Sequence, residues 1–476
     1  MTSRSGALFL LPLLLTAPGC VTAHDRSGAA ASTDAATAPL PGPDAGTPGL
    51  PTTSSPSTPS NAPDSSRGAG ADAAISSPDS AIVAAADGGG SPAGPDALPR
   101  APSGSVIWSS PIAFHANGLM VDDGGIFLAG EYRGSGTVGS ATITSAGDAD
   151  GYVAAFGLDG SFRWAHSYGG PKYGGFFSLA LADNGDLLAA GSAFDTTLDF
   201  GTRQLGPDPI GDGVLARFTR QGAVVWATRC SPGNYAIAMG GGRYLVGGVY
   251  GWADRRDDAG LAVAGSRITL PGLSIDASRT ADGGYVIGGW FFDTVTIGNR
   301  SFTAAGHNDP YVIKFSPAGA VVWATVFPGA DFQTLGEHGV SVDERGDVYV
   351  TGSFAGDITI GGKRYVSQGN DDIYVAKLAA ATGQPIWSRT LGGKESMDEG
   401  VVVLADGASV LLGGRLGNDT NLGPDITSPM GGFVARLAGT TGEFLWLAPA
   451  DGTVEAIRVH GGSLYTSSTT LSRLAP

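Results

Sequence analysis

Three glutamates recur at one place in a repeating pattern. Glu337, Glu399 and Glu455 each stand just before an apolar strand. If the repeats bring them together, they form a cluster of carboxylates. Such a cluster with open geometry can bind Ca²⁺ or an organic cation. Equivalent segments carry His115, Lys172, Tyr173, Asn234, Tyr235, His338, Lys394 and Asp398. These polar loop residues form the candidate ligand-binding set, although most loop polars simply face water. Other chemistry is hard to assemble. The 6 His are scattered, with no His-x-x-x-His spacing. No Gly-x-Ser-x-Gly elbow and no phosphate-binding glycine loop is present, so no catalytic residue is assigned. Asp148-Ala149-Asp150-Gly151 and Asp371-Asp372 resemble pieces of a calcium loop. The bidentate acid that should end such a loop is missing, so turn chemistry explains these aspartates better. The chain has 2 Cys, Cys20 and Cys230. That excludes a disulfide scaffold and a multi-Cys zinc site. Cys230 reads as a small buried hydrophobe. It lies beyond a Trp strand, as His166 does in the adjacent repeat.

The elements that must position these residues are strands. Asp/Asn-Gly turns followed by an apolar run recur seven times, as at Asp122 to Gly130, Asp183 to Gly191, Asp282 to Gly289 and Asp406 to Gly414. Asp-Gly or Asn-Gly between apolar runs is a strong hairpin signal, because Gly accepts positive φ. A second hairpin alternates with the first and ends in Trp. Counting outwards from its turn places Ala155 opposite Trp164, Arg217 opposite Trp226, and Lys314 opposite Trp323. One extra turn residue places Lys377 opposite Trp387 and Arg436 opposite Trp446. A cation facing an indole contributes about 0.5–1 kcal/mol when exposed. These pairs read as glue between repeats, not as a binding site.

Two hairpins make a four-stranded unit, and such units repeating at this spacing predict an all-β fold: a single β-propeller over 104–476 with seven four-stranded blades. The chain ends at Leu471-Ser472-Arg473-Leu474, a third strand with no Trp strand after it. The domain begins with Ser105-Val106-Ile107-Trp108, a Trp strand with no third strand before it. Together they complete one blade and close the ring, with Trp108 opposite Arg473. The unit over about 230–271 is short and lacks the Trp. It reads as a degraded blade.

The N-terminal region is an address and a tether. Ala7 to Leu15 is an apolar run too short to span a bilayer, and Ala17-Pro18-Gly19-Cys20 follows. This resembles a bacterial lipobox. The resemblance implies a signal peptide over 1–19 and a diacylated Cys20, with Val21 favouring the outer membrane. Residues 20–103 hold no aromatic residue and read as a disordered linker rich in Ala, Ser, Thr, Pro and Asp. The chain carries 28 basic and 44 acidic residues, net −16. That field repels phosphate, so nucleic acid is excluded as a partner and the membrane is reached through the lipid alone.

The run Gly352 to Gly362, then Asn370 to Leu378, Gly383 and Trp387, resembles the bacterial seven-bladed β-propeller repeat family. Ala381 to Trp387 and Gly439 to Trp446 also resemble the tryptophan-docking motif of quinoprotein propellers. The first resemblance implies an exported, surface-associated domain and leaves function open. Three readings remain. One is a monomeric, non-catalytic module binding a protein or glycan at the cell envelope, without a cofactor. Another is a quinoprotein-like oxidoreductase using the channel mouth. The third is a periplasmic outer-membrane assembly scaffold.

Overall fold

The computed structural model describes residues 103–476, apart from 195–196, 202, 207–212, 231–232, 234, 249–250, 395–396 and 418–430. Strands form throughout, and no helix occurs among the described residues. Seven antiparallel four-stranded sheets make up the domain. Blade 1 is His115–Asp122, Gly125–Tyr132, Asp150–Phe156 and Phe162–Tyr168. Blade 2 is Gly174–Leu181, Leu187–Ala193, Gly213–Phe218 and Val224–Cys230. Blade 3 is Tyr235–Ala238, Tyr244–Gly247, Trp252–Arg256 and Ile268–Thr269. Blade 4 is Leu273–Arg279, Tyr285–Phe291, Asp309–Phe315 and Val321–Val326. Blade 5 is Val340–Val342, Val348–Phe354, Asp372–Leu378 and Pro385–Leu391. Blade 6 is Glu399–Asp406, Ser409–Leu416, Gly431–Ala438 and Phe444–Ala450. Blade 7 is Ala456–His460, Ser463–Ser467 and Thr470–Leu474, completed by Val106–Pro111 from the other end of the domain. The first strand of every blade abuts those of both neighbours, so the seven close a ring around a central channel. The chain is a seven-bladed β-propeller.

Closure is non-covalent and copies a hairpin turn. Trp108 pairs with Arg473 and Ser110 with Leu471. Gly104 N–H donates to the Ala475 carbonyl at 2.9 Å, and Ala475 N–H to that of Ser105 at 2.8 Å. Blade 3, whose second and third strands are directly paired, has all four strands despite its brevity.

Middle strands are buried on both faces, and apolar runs such as Asp372–Leu378 supply that burial. The fourth strands lock each blade to the next. Trp164 Nε1 donates to the Arg220 carbonyl at 3.1 Å, and Trp226, Trp323 and Trp387 to those of Asp258, Ala380 and Gly439 at 3.0 Å. Each acceptor lies in the outer hairpin turn of the following blade. The indole face lies on a glycine of that turn. At Gly442, whose φ is +70°, an added Cβ would fall 2.6 Å from the Trp387 ring. Trp446 lies in the same way on Gly104, and Trp108 on Gly160. Blade 3 substitutes an arginine: Arg255 donates to the Pro317 carbonyl at 2.5 Å and lies over Tyr285. Trp387→Ala removes such a lock and is expected to cost about 3 kcal/mol. Urea unfolding of the variant measures it; a change below experimental error would make the seam ornamental.

The cross-strand partners stand as counted: Ala155 with Trp164, Arg217 with Trp226, Lys314 with Trp323, Lys377 with Trp387 and Arg436 with Trp446. The cations, however, are held chiefly by aspartates of the Asp-Gly turns. Arg217 pairs with Asp186 and Asp258, Lys314 with Asp282, Lys377 with Asp343 and Asp347, and Arg436 with Asp406. Arg436 also lies 5.9 Å from the Trp446 ring centroid. Full carboxylate charges outcompete the ring quadrupole for these buried cations. In blade 1, where Ala155 takes the cation's place, Arg220 from blade 2 reaches across to Asp122.

Candidate functional site: the central channel and its carboxylate mouth

A glycine near the end of the second strand in blades 1 to 6 shapes the channel mouth. An added Cβ at Gly352 would lie 2.0 Å from the Thr334 carbonyl, and at Gly130 2.1 Å from that of His115. The missing side chain lets the first strand bulge against the second. A third-strand tyrosine then caps the bulged carbonyl. Tyr374 donates to Thr334 at 2.9 Å, and Tyr152 to His115 at 3.0 Å. The side chains of the bulged residues are thereby presented at one end of the ring.

That end gathers carboxylates from four blades. His115 pairs in register with Glu131, and its Nδ1 lies 3.3 Å from Glu455 Oε1. Glu131 accepts a hydrogen bond from the Tyr173 hydroxyl. Glu399 stands opposite Arg415. Glu337 sits on an extended bulge of blade 5, where residues 334–340 match only 350–352 of the second strand. It is accessible to water in the lumen yet ringed by protein, so its carboxyl is pushed up to about 8. Burial is the main cause, followed by the charges of Glu455, Glu399 and Glu131. Burial and the Glu455 charge also raise Glu399. His115 is raised by its hydrogen bond to Glu455, against the opposing effect of burial. Mutual repulsion of this kind is relieved when a cation enters.

His338, next on the same bulge, crosses the lumen. Its Nε2 lies 2.6 Å from the Asn117 carbonyl of blade 1, and its backbone bonds to Val401 and Val403 of blade 6. The ring is held neutral: burial, then the Arg458 charge, lowers it to about 4. The nitrogen facing Asn117 therefore carries the proton. On the far side lies a cavity of about 270 Å³ lined by all seven first strands, including Asp276, His338 and Arg458. Asp276 accepts from Val340 N–H at 2.9 Å, and burial pushes its carboxyl up to about 7. A larger groove of about 420 Å³ lies between blades 4 and 5, lined by Phe302, Thr325 and Pro385 among others. The channel is the stronger candidate because all seven blades converge on it.

Of the residues singled out in the sequence, His115, Tyr173, Glu337, Glu399 and Glu455 meet at the mouth, while His338 forms the crossbar. Asp398 is buried and accepts from the backbone N–H groups of Gly393 and Gly417. Lys172 is exposed beside Tyr173, and Asn234 lies outside the described residues. Asp150 and Asp372 brace their own loops, accepting from Ala146 at 2.7 Å and Gln368 at 3.0 Å. Among the described residues, no three His, Cys, Asp or Glu side chains come close enough to hold a metal ion. His166 stacks on Trp164, and Cys230 is buried in the apolar cluster of Ala236 and Tyr244. Glu131, Asp276 and Arg458 join the site without having been singled out. The register of Glu131 opposite His115 is the signal that finds the first.

No family model matches the chain, and no curated protein matches it. Among solved structures, the fold is similar to that of U3-55K, at 11% identity and a TM-score of 0.49, covering 80% of this chain and 100% of that one. It is also similar to the RRP9 WD40 repeats, at 10% identity and 0.49, covering 79% and 98%. BamB from Moraxella catarrhalis is similar at 14% identity and 0.43, covering 78% and 99%. These likenesses concern the fold alone.

Proposed function

We propose that this protein is a non-catalytic binding module of the cell envelope whose channel mouth captures a positively charged group of a protein partner. The observation that carries this reading is the convergence of Glu131, Glu337, Glu399 and Glu455 with His115 at one end of a closed ring. Water-accessible carboxylates that repel one another favour a cation, and a lysine or arginine side chain brings three or five N–H donors on a long stem into such a mouth. Cys20 supplies the lipid anchor and residues 21–103 the tether; all of these but residue 103 lie outside the described residues. The domain acts as a monomer, without a cofactor.

Binding of a lysine-rich peptide by the full chain, followed by calorimetry, tests the mouth. Glu337→Gln with Glu399→Gln is expected to weaken binding by about tenfold or more, since two of the four carboxylates that attract the cation are lost. Equal binding by the double variant would sink the reading. Protease shaving of intact cells tests the address: release of a domain-sized fragment places the propeller at the surface, and protection places it in the periplasm.

A further inference from the structure

The cavity beyond His338 is chemically unlike the mouth. Its lining runs along the first strands towards their turns: Met120 precedes the Asp122 turn, Leu181 the Asp183 turn and Leu404 the Asp406 turn. These partly accessible side chains, with Ile237, Val340 and Val403, make the apolar part of a lining that also carries Ser178, Ser278 and Ser341. One cation looks into it. Arg458 Nη1 donates to the neighbouring Ile457 carbonyl at 2.7 Å, and among the described residues no carboxylate pairs with the guanidinium. The nearest acid, Asp276, is already held by the backbone N–H groups of Val340 and Ala277. The guanidinium carries five N–H donors; one hydrogen bond engages it, and half-buried Arg458 lines the cavity, so donors remain for a ligand. Burial correspondingly lowers the Arg458 pKa.

We infer that this cavity is a second ligand site, separate from the carboxylate mouth, which takes the carboxylate of a small apolar acid against Arg458. The volume of about 270 Å³ lies near the lower edge of the range of about 300–1,000 Å³ for small-molecule sites. It suits a short aliphatic or single-ring acid. The His338 crossbar stands between the two sites, so the ligand enters from the turn face, away from the acidic mouth. Asp276 sets the pH dependence. The groups facing it are Arg458 from blade 7, His338 from blade 5, and Tyr235 from blade 3. His338 is neutral and Tyr235 protonated near neutrality. Raising the pH through about 7 therefore adds one negative charge beside Arg458 and weakens carboxylate binding.

Calorimetry on the full chain in detergent, with benzoate, hexanoate, benzamide and hexylamine, tests this site. Ala-Ala-Leu with a free or an amidated C-terminus distinguishes a free acid from a polypeptide end as the source of the carboxylate. Free carboxylates are expected to bind, and their amide counterparts about tenfold more weakly or not at all. Arg458→Gln should lose binding by about tenfold or more, while Lys363→Gln, at an exposed position away from both sites, leaves it unchanged. If Arg458→Gln does not fold, Leu404→Trp fills the cavity and should abolish binding instead. Equal binding of acid and amide, or no heat from any carboxylate at millimolar concentration, overturns the inference. Neither result touches the mouth, whose lysine-peptide binding is read separately.

Discussion

Deleting residues 471–476 abolishes cooperative folding of the propeller. The strand Thr470–Leu474 pairs with Ser463–Ser467 on one side and with Val106–Pro111 on the other. Its Leu471 is 0% exposed and its Leu474 is 2% exposed. Losing one buried leucine costs about 2–5 kcal/mol. Losing both, along with two rows of backbone bonds, is comparable to the whole stability of a domain, about 5–15 kcal/mol. Trp108→Ala removes one indole from the same blade, packed on Gly160 and Tyr465, and costs less. Trp252→Ala, at the half-buried start of the third strand of blade 3, costs least. Thermal melts by circular dichroism are expected to rank the three in that order. A truncated chain that melts like the intact one would refute non-covalent ring closure.

Asp276→Asn makes the protein more stable at alkaline pH. The sign follows from where the proton sits. In the unfolded chain an aspartate ionises near pH 4, whereas in the folded channel Asp276 keeps its proton to about 7. Between those values the native state binds more protons, so stability falls as pH rises. The full loss is on the order of 4 kcal/mol, about three pKa steps of 1.36 kcal/mol each. Glu337 acts in the same direction through about 8. His115 also does so, since its pKa is raised. His338 opposes them: lowered to about 4, it stays neutral when folded and favours the unfolded state below about 6.5. His338 is common to wild type and Asp276→Asn, so their difference reports Asp276 alone. Urea unfolding should show the two diverging between about pH 4 and 7 and staying apart by a constant amount above that, with little difference near pH 4. Parallel curves across that interval would mean that Asp276 is ionised in the fold.

Much of the architecture is legible in turn and Trp spacing. Asp-Gly turns and indoles mark local, short-range geometry, so counting residues across a turn places Arg217 opposite Trp226 and Arg473 opposite Trp108. Blade 3 is harder to read because Arg255 does the work of the Trp, and an arginine near a strand end carries no signature. The mouth is legible where residues precede first strands, as Glu337, Glu399 and Glu455 do. Glu131 is legible only by counting the hairpin register across the Asp122–Gly125 turn, and a bulge between His115 and Gly118 shifts that count by one. Asp276 and Arg458 are hidden for another reason. First strands are buried on one side and face a narrow lumen on the other, and alternation does not distinguish a lumen from a solvent face. The role of His338 depends on Asn117, 221 positions away, which local pattern does not connect.

The closing blade also has a mechanical consequence. The polypeptide enters the domain through Val106–Pro111, the outermost strand of its sheet, which is hydrogen-bonded along one edge only. Most of its side chains are exposed. A pull on the chain ahead of residue 103 loads the Gly104–Ala475 and Val106–Leu474 bonds first and opens that edge like a zipper. The first strand to part strips little of the core, and the six covalently continuous blades are not the first to bear the load. The seam that closes the ring is also its mechanical fuse.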